Sequence, residues 1–107
     1  MNPNNNPYYL TIVTTEISDH DPEGYKAYRK ELSEIMSEQP GFKGAEAVVE
    51  GTTTISLVYW ETQEAMSAWG SAPAHQEIKK KSHAGGWLKS ARIEIAQVNH
   101  CIEMPPK

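Results

Sequence analysis

Residues 55–75 pass from a strand pattern to a helix pattern with almost no loop between them, and this junction constrains the fold more than any other segment. A run of aliphatic and aromatic residues ends at Trp60, and a helical pattern begins at Thr62. The same segment holds Trp69 and His75, so aromatic rings and an imidazole are brought to the point where a sheet is followed by a helix. Because such a point is a common place for a ligand pocket, we expect the functional site here.

Three further strands and one further helix are predicted from the rest of the chain. Runs of β-forming residues predict strands over 8–17, 42–50 and about 90–101, in addition to 53–60. A helix is predicted from Pro22 to about Glu38, because Asp21 can cap it and proline suits the first helical position. Its apolar side chains are spaced for one face: Tyr25, Tyr28, Leu32, Ile35 and Met36.

The second helical region, from Thr62 to about Ser82, contains a predicted break. Pro73 lacks the backbone N–H that an uninterrupted helix uses, and Ser71 can cap a helix that restarts there. Glycines at positions 85 and 86 then end the helix. We therefore expect two helical pieces between the third and fourth strands.

The predicted order of elements is β-α-β-β-α-β. This is the ferredoxin-like arrangement of the α+β class, an antiparallel four-stranded sheet with both helices on one face. The first strand carries apolar groups on both faces, with Leu10 and Ile12 on one and Tyr9, Val13 and Ile17 on the other. A sheet with one solvated face would alternate more cleanly. A second subunit packed through the sheet faces, in a homodimer, is the predicted cover, and a monomer with an unusually apolar open sheet is the alternative.

Length, charge and hydropathy limit the domain count and the class of partner. A chain of 107 residues favours one domain, predicted over 8–101, with an arm at 1–7 and a tail at 102–107. The formal net charge of −4 argues against a nucleic-acid partner, whose binding needs a basic patch. No apolar run is long enough for a membrane span or a signal peptide, so we expect no membrane partner and a cytoplasmic location.

Histidine and cysteine spacing gives no metal-site pattern. The four histidines share no ligand spacing on one element, and Cys101 stands alone, so neither a metal site nor a disulfide within the chain is predicted. Two interpretations stay open for the candidate rings at the junction and on the first helix. Trp60, Trp69 and Tyr28 suit core packing as well as a pocket wall, and His75 suits a capping or solvent-facing position as well as a place in the site.

The pattern over residues 58–65, followed by Trp69 and then by residues 72–75, is similar to the antibiotic biosynthesis monooxygenase domain family. Further matches lie at residues 39–44 and 87–98, so that the similarity spans roughly 8–100. The resemblance implies a dimeric α+β barrel of two ferredoxin-like subunits, each with a pocket between its sheet and its helices. Members of the family include cofactor-independent monooxygenases acting on aromatic polyketides, haem-degrading monooxygenases and proteins without known activity.

The resemblance also implies roles for single residues. Trp69 corresponds to the helix tryptophan that lines the pocket in both active branches. The cofactor-independent branch has a pocket tyrosine six positions later, where this chain has His75, and an asparagine four positions earlier, where it has Ala65. The haem-degrading branch has its iron-binding histidine ten positions after the tryptophan, where this chain has Lys79, and an asparagine on the first strand, whose centre here carries threonines.

The resemblance therefore predicts that the protein is a small dimeric monooxygenase. It would use no cofactor and would oxygenate an aromatic or enolisable small molecule. His75 is the candidate base, since a neutral imidazole suits proton abstraction near pH 7, and Trp69, Tyr59 and Tyr28 are predicted to line the pocket. A catalytically silent ligand-binding or structural dimer of the same fold is the alternative, which the missing asparagines favour. Haem degradation is a weaker alternative because Lys79 holds the ligand position.

Overall fold

The structure is a computed structural model that describes residues 7–105. These residues contain four strands and three helices. In chain order they are β1 (Tyr8–Ile17), α1 (Pro22–Ser37), β2 (Phe42–Glu50), β3 (Thr53–Trp60), α2 (Gln63–Ser71), α3 (Pro73–Gly85) and β4 (Leu88–Val98). The strands form one antiparallel sheet in the order β2-β3-β1-β4. The predicted ferredoxin-like fold is confirmed, with the second helical region in two pieces.

The start of α1 follows its sequence signals. Asp21 is the N-cap residue, and its Oδ1 accepts a hydrogen bond from the backbone N–H of Gly24 at 3.1 Å. Pro22 occupies the first helical position, where no N–H is needed. Farther along the helix, three residues of the predicted apolar face pack against the core: Leu32, Ile35 and Met36. The helix therefore covers the sheet with the face that its spacing predicts.

A break separates α2 from α3 at Ala72. This residue has extended backbone angles (φ −63°, ψ 138°), the conformation favoured for a residue that precedes proline. The prediction that Ser71 caps α3 is wrong, because Ala72 holds the N-cap position and makes no side-chain cap bond. Ser71 still belongs to the last turn of α2, and its Oγ donates to the carbonyl of Ser67 at 3.2 Å.

The last strand begins and ends earlier than predicted. β4 starts at Leu88, just after Gly86, which ends α3 in the left-handed conformation (φ 64°). It stops at Val98, which pairs with Tyr8, the first residue of β1. The ladder ends there because its partner strand begins there. Cys101, predicted at the end of the strand, lies beyond it and is exposed.

The two faces of the sheet differ in what covers them. The face under the helices, here called the helix face, carries Thr54, Val58 and Trp60 of β3, all of them buried. The opposite side, here called the open face, carries the intervening residues of β3 and their neighbours on the paired strands: Ile55, Leu57, Tyr59, Leu10, Ile12 and Val48. Tyr9 and Val13 of β1 lie on the helix face, so both faces of β1 carry apolar groups, as its sequence predicts.

The chain beyond the sheet is described only in part. Residues 99–105 have no regular secondary structure and are exposed. The predicted arm at 1–7 lies outside the described residues except for its last position, and the predicted tail at 102–107 is described as far as residue 105. Within residues 7–105, none of the helices combines the length and apolar character that crossing a membrane requires.

Candidate functional site

Trp69 lies in the core where α2 covers the sheet. Its buried side chain clusters with Val58, Trp60 and Met66. The start of α2 is set by Thr62, whose Oγ1 accepts a hydrogen bond from a backbone N–H in the first turn at 3.0 Å. Since Met66 and Trp69 are three positions apart on the helix, both side chains reach the sheet together.

Trp60 is a structural residue at the same junction. Its side chain is fully buried, and its Nε1 donates a hydrogen bond to Thr11 Oγ1 at 3.2 Å. Its ring meets Phe42 edge-on, with 5.9 Å between the ring centroids and 83° between the ring planes. With the indole N–H satisfied and the ring enclosed, the interpretation of Trp60 as a core residue fits its surroundings.

His75 is held against Trp69 by two contacts. The two rings are stacked, with centroids 4.5 Å apart and planes inclined by 8°. In addition, His75 Nδ1 lies 2.9 Å from the backbone carbonyl oxygen of Trp69. Because a carbonyl only accepts hydrogen bonds, Nδ1 carries the proton of the neutral ring, and the lone pair is on Nε2. Neither contact uses Nε2, so the arrangement presents this nitrogen as a base.

Tyr28 belongs to a second aromatic cluster near the start of α1. Its ring centroid lies 5.2 Å from that of Trp87 and 6.2 Å from that of Tyr25. Trp87 in turn donates from Nε1 to Asp21 Oδ2 at 3.3 Å. The ring contacts of Tyr28 therefore tie the start of α1 to the segment that follows α3.

Tyr59 lies on the open face, on the opposite side of the sheet from Trp69. Its hydroxyl donates to Glu46 Oε1 at 2.7 Å, and its ring centroid is 6.1 Å from that of Tyr8. The hydrogen bond to Glu46, assisted by burial and by the negative charge of that carboxylate, raises the pKa of Tyr59 to about 12. The phenol is therefore protonated at neutral pH. Of the four predicted site residues, Trp69 and His75 are the pair that the structure brings into contact.

Two isoleucines on β4 extend the helix face beyond the core. Ile93 pairs with Val13 and Ile95 with Thr11, so their side chains are on the same side as the core cluster. They are 55% and 63% exposed, because the helices pack over the other strands of the sheet. The sequence predicts that both isoleucines lie on one face of a strand, but it does not show that the helices leave this part of the helix face uncovered. They form an apolar surface on which a ring could lie.

Thr54 is a further feature of the helix face. It is 3% exposed, and its Oγ1 has no hydrogen-bond partner among residues 7–105. Thr15, also buried, is directly opposite on β1. A buried hydroxyl without a hydrogen-bond partner lowers the stability of the fold. Alternation along the strand predicts which face Thr54 lies on, but it does not predict that the hydroxyl lacks a partner.

The family of the chain follows from a comparison with known families. A model of the family described as antibiotic biosynthesis monooxygenase matches residues 11–81, more than half of the chain. The chain belongs to the antibiotic biosynthesis monooxygenase family. The resemblance inferred from residues 58–75 is thereby confirmed.

The chain is similar to proteins of known and unknown function. YqjZ of Bacillus subtilis (strain 168), an uncharacterized protein, is 31% identical over 94 residues, which are 87% of this chain and 81% of YqjZ. SnoaB of Streptomyces nogalater, a cofactor-independent oxygenase, matches with a TM-score of 0.69 and 13% identity over 94% of this chain and 99% of SnoaB. A dimeric ferredoxin-like protein of unknown function from Jannaschia sp. CCS1 matches with a TM-score of 0.69 and 14% identity over 85% of this chain and 99% of that one. At such identities the two structures establish a shared fold.

Position 79 in this family member does not suit an iron ligand. Lys79 is exposed on α3, one helical turn after His75, and an ammonium group has no lone pair to offer a metal. No cluster of three or more His, Cys, Asp or Glu side chains placed to hold a metal ion occurs within residues 7–105. The residues at this position do not fit haem as the haem-degrading branch binds it, and we derive no reaction step through haem.

Proposed function

We propose that this family member is a cofactor-independent monooxygenase acting on an aromatic or otherwise enolisable small molecule. The observation that carries the proposal is the Trp69–His75 pair, in which the main-chain hydrogen bond leaves Nε2 as the basic nitrogen. Membership in the antibiotic biosynthesis monooxygenase family supports it, as does the fold shared with SnoaB. His75 is the proposed catalytic base, and Trp69 is the proposed wall of a pocket for a small apolar or aromatic ligand.

The proposed reaction converts an activated methylene group into a carbonyl group. His75 Nε2 removes one proton from a methylene next to a phenol or ketone, and the electron pair left behind spreads over the ring or enolate. This anion reduces dioxygen, and the new C–O bond gives a hydroperoxide that takes up a proton. Loss of water from the hydroperoxide leaves the carbonyl. One CH₂ group and one O₂ thus give one C=O group and one H₂O, and the substrate supplies all the electrons.

Both contacts of His75 suit a base that accepts and returns a proton. When Nε2 is protonated, Nδ1 still donates to the Trp69 carbonyl, and a hydrogen bond from a charged ring is stronger than one from a neutral ring. The charged imidazolium also lies over the face of an indole, which attracts cations. The ring therefore keeps its position in both protonation states.

The decisive test removes the base while keeping the hydrogen bond. In His75→Asn the side-chain amide can still donate to the Trp69 carbonyl, but the atom corresponding to Nε2 is missing. We expect oxygen uptake with a panel of quinols and activated-methylene ketones to fall by roughly 10²–10⁴ in His75→Asn and in His75→Ala alike. Wild-type uptake in a folded His75→Asn protein would contradict the assignment of the base.

The pocket-lining assignments are tested in the same assay. Trp69→Phe keeps an aromatic wall of smaller size, so we expect a raised KM for bulky substrates. Tyr28→Phe and Tyr59→Phe remove only a hydroxyl each, and their role as pocket-lining residues stays a prediction. An unchanged KM in a Phe variant would remove that tyrosine hydroxyl from the site.

A catalytically silent ligand-binding or structural dimer of the same fold is the second candidate. The observation in its favour is the absence of both asparagines, with Ala65 packed against the core where one of them would stand. Quenching of tryptophan fluorescence by quinols, without oxygen uptake from any of them, would favour this candidate. Uptake that depends on His75 would exclude it.

The proposed assembly is a homodimer joined through the open faces of two sheets. Its support is the apolar character of that face, where Val48 and Ile55 are 64% and 40% exposed, together with the dimeric state of the related protein from Jannaschia. Exposed apolar surface of this kind is a common mark of protein–protein contact.

A further inference from the structure

We propose that Pro73 is a positioning residue that makes the main-chain carbonyl of Trp69 the acceptor for His75 and so sets the tautomer of the imidazole. The catalytic meaning of this inference rests on the proposed function. Its structural content, a proline that frees one carbonyl for one side chain, stands without it.

The hydrogen-bond pattern at the end of α2 carries the first step. In an α-helix, each carbonyl accepts from the N–H four residues later. For Trp69 that residue is Pro73, which has no N–H. The carbonyl of Trp69 instead accepts from the backbone N–H of Ala72 at 3.1 Å and from His75 Nδ1 at 2.9 Å. The proline removes the competing donor, and the histidine side chain takes its place.

The spacing of the two rings carries the second step. In an uninterrupted helix, residues six apart differ by about 120° around the axis and about 9 Å along it, which is too far for stacked rings. Trp69 and His75 are six apart, yet their ring centroids are 4.5 Å from each other. The extended backbone at Ala72, which precedes the proline, redirects the chain and makes the stack possible.

A second side-chain hydrogen bond crosses the break between α2 and α3 in the same way. Gln76 Nε2 donates to the carbonyl of Gly70 at 2.9 Å, again across six positions. Two consecutive side chains in the first turn of α3 thus satisfy two consecutive carbonyls in the last turn of α2. The histidine contact is therefore part of a regular arrangement, which requires α3 to begin at position 73.

The test reads the tautomer directly. Long-range ¹H–¹⁵N correlation spectra of labelled protein at alkaline pH show which ring nitrogen is protonated, and the His75 signals are assigned by their loss in His75→Asn. We expect the Nδ1–H form in the wild type. In Pro73→Ala, the new N–H at position 73 competes for the carbonyl of Trp69, and we expect a shift to the Nε2–H form or to a mixture. Pro22→Ala, at the same helical position of α1, is the matched control and should leave the His75 spectrum unchanged.

Two results would overturn the inference. One is an Nε2–H form of His75 in the wild type, which requires no variant to fold. The other is an unchanged Nδ1–H spectrum in a Pro73→Ala protein whose circular dichroism matches that of the wild type.

Oxygen uptake separates this inference from the proposed function. If the wild type takes up oxygen and Pro73→Ala loses roughly ten- to a hundredfold in kcat/KM together with the tautomer shift, both are supported. If the tautomer shifts but no protein takes up oxygen, the positioning role of Pro73 holds and the oxygenase proposal fails. If the tautomer shifts and oxygen uptake does not change, the inference that Pro73 contributes to catalysis through the tautomer of His75 is refuted.

Discussion

Tyr59 and Glu46 form the residue pair with the clearest effect on proton affinity. The hydroxyl of Tyr59 donates to the carboxylate at 2.7 Å, and this bond is the main reason that the pKa of Tyr59 rises to about 12. A phenolate would lose the bond and would face a negative charge. The protonated tyrosine is therefore the form that the folded chain favours.

The raised pKa of Tyr59 predicts a dependence of stability on alkaline pH. Because the folded pKa is above the unfolded value of about 10, the stabilisation is fully present below pH ~10 and is lost as the pH rises toward 12. Titration of tyrosinate absorbance should show a late step that Tyr59→Phe removes. In Glu46→Gln the same step should occur at lower pH, because the amide carries no charge. Because the pKa of Tyr8 is also raised, the criterion is the amplitude: a late step of undiminished amplitude in Tyr59→Phe would refute the assignment.

The site residues show where sequence reasoning stops at the residue scale. Trp69 and His75 could be selected as residue types at a strand–helix junction, but their contact could not be predicted, because helical periodicity holds only within one helix and the break resets it. The sequence also does not show on which side of the sheet Tyr59 lies relative to the helices. Alternation alone separates Tyr59 from Trp60 without saying which face the helices cover.

A tryptophan connects the start of α1 with the end of α3. Trp87 donates to Asp21, the N-cap residue of α1, and its ring contacts that of Tyr28 in a tilted arrangement. The Trp87 ring also lies close to Gly85, so that a Cβ added at Gly85 would be 2.4 Å from the ring. A Cβ at Gly70, in α2, would meet no atom within 4 Å. Gly70 and Gly85 therefore differ in whether they leave space for a side chain.

This difference predicts opposite effects of the same substitution. Gly85→Ala should lower the free energy of unfolding by about 1–3 kcal/mol, because the methyl group overlaps the indole. Gly70→Ala should raise it by about 0.5–1 kcal/mol, because alanine favours the helix and has space. Urea unfolding followed by circular dichroism measures both. Equal effects of the two substitutions would contradict the close packing of Trp87.

Local signals are sufficient for most of the elements. Proline at the first position of α1 and of α3, the Thr62 cap and the left-handed Gly86 each act within a few residues, so the sequence predicts these boundaries well. The end of β4 was misplaced because it depends on pairing with β1, a contact between distant parts of the chain. The Ser71 cap failed because the serine had a carbonyl of its own helix within reach.

On the scale of the whole molecule, the open face is the apolar surface through which the proposed homodimer would form. Val48 and Val49 are neighbours on β2 with nearly equal exposure, 64% and 63%, but they point to opposite faces of the sheet. Val48 lies on the open face beside Ile55, and Val49 lies on the helix face. The pair therefore offers a comparison in which only the direction of the side chain differs.

We expect the proposed homodimer to respond to one of these valines alone. Val48→Asp places an unpaired carboxylate in the contact, and its desolvation should weaken association by about tenfold or more, which corresponds to about 1.4 kcal/mol or more. Val49→Asp should leave the dimer intact. Sedimentation equilibrium over a range of concentrations measures both constants. A dimer insensitive to Val48→Asp would place the subunit contact elsewhere.

One of the two contacts that hold His75 is made by a main-chain atom, and this affects how such a protein can diversify. A carbonyl oxygen is present whatever side chain occupies position 69, whereas the ring that stacks on His75 is that side chain. Substitutions of Trp69 would therefore remove the ring stack but leave the acceptor of the His75 hydrogen bond in place, provided that Pro73 is kept. The side chain at position 69 can thus change without removing the atom that determines which ring nitrogen of His75 carries the proton.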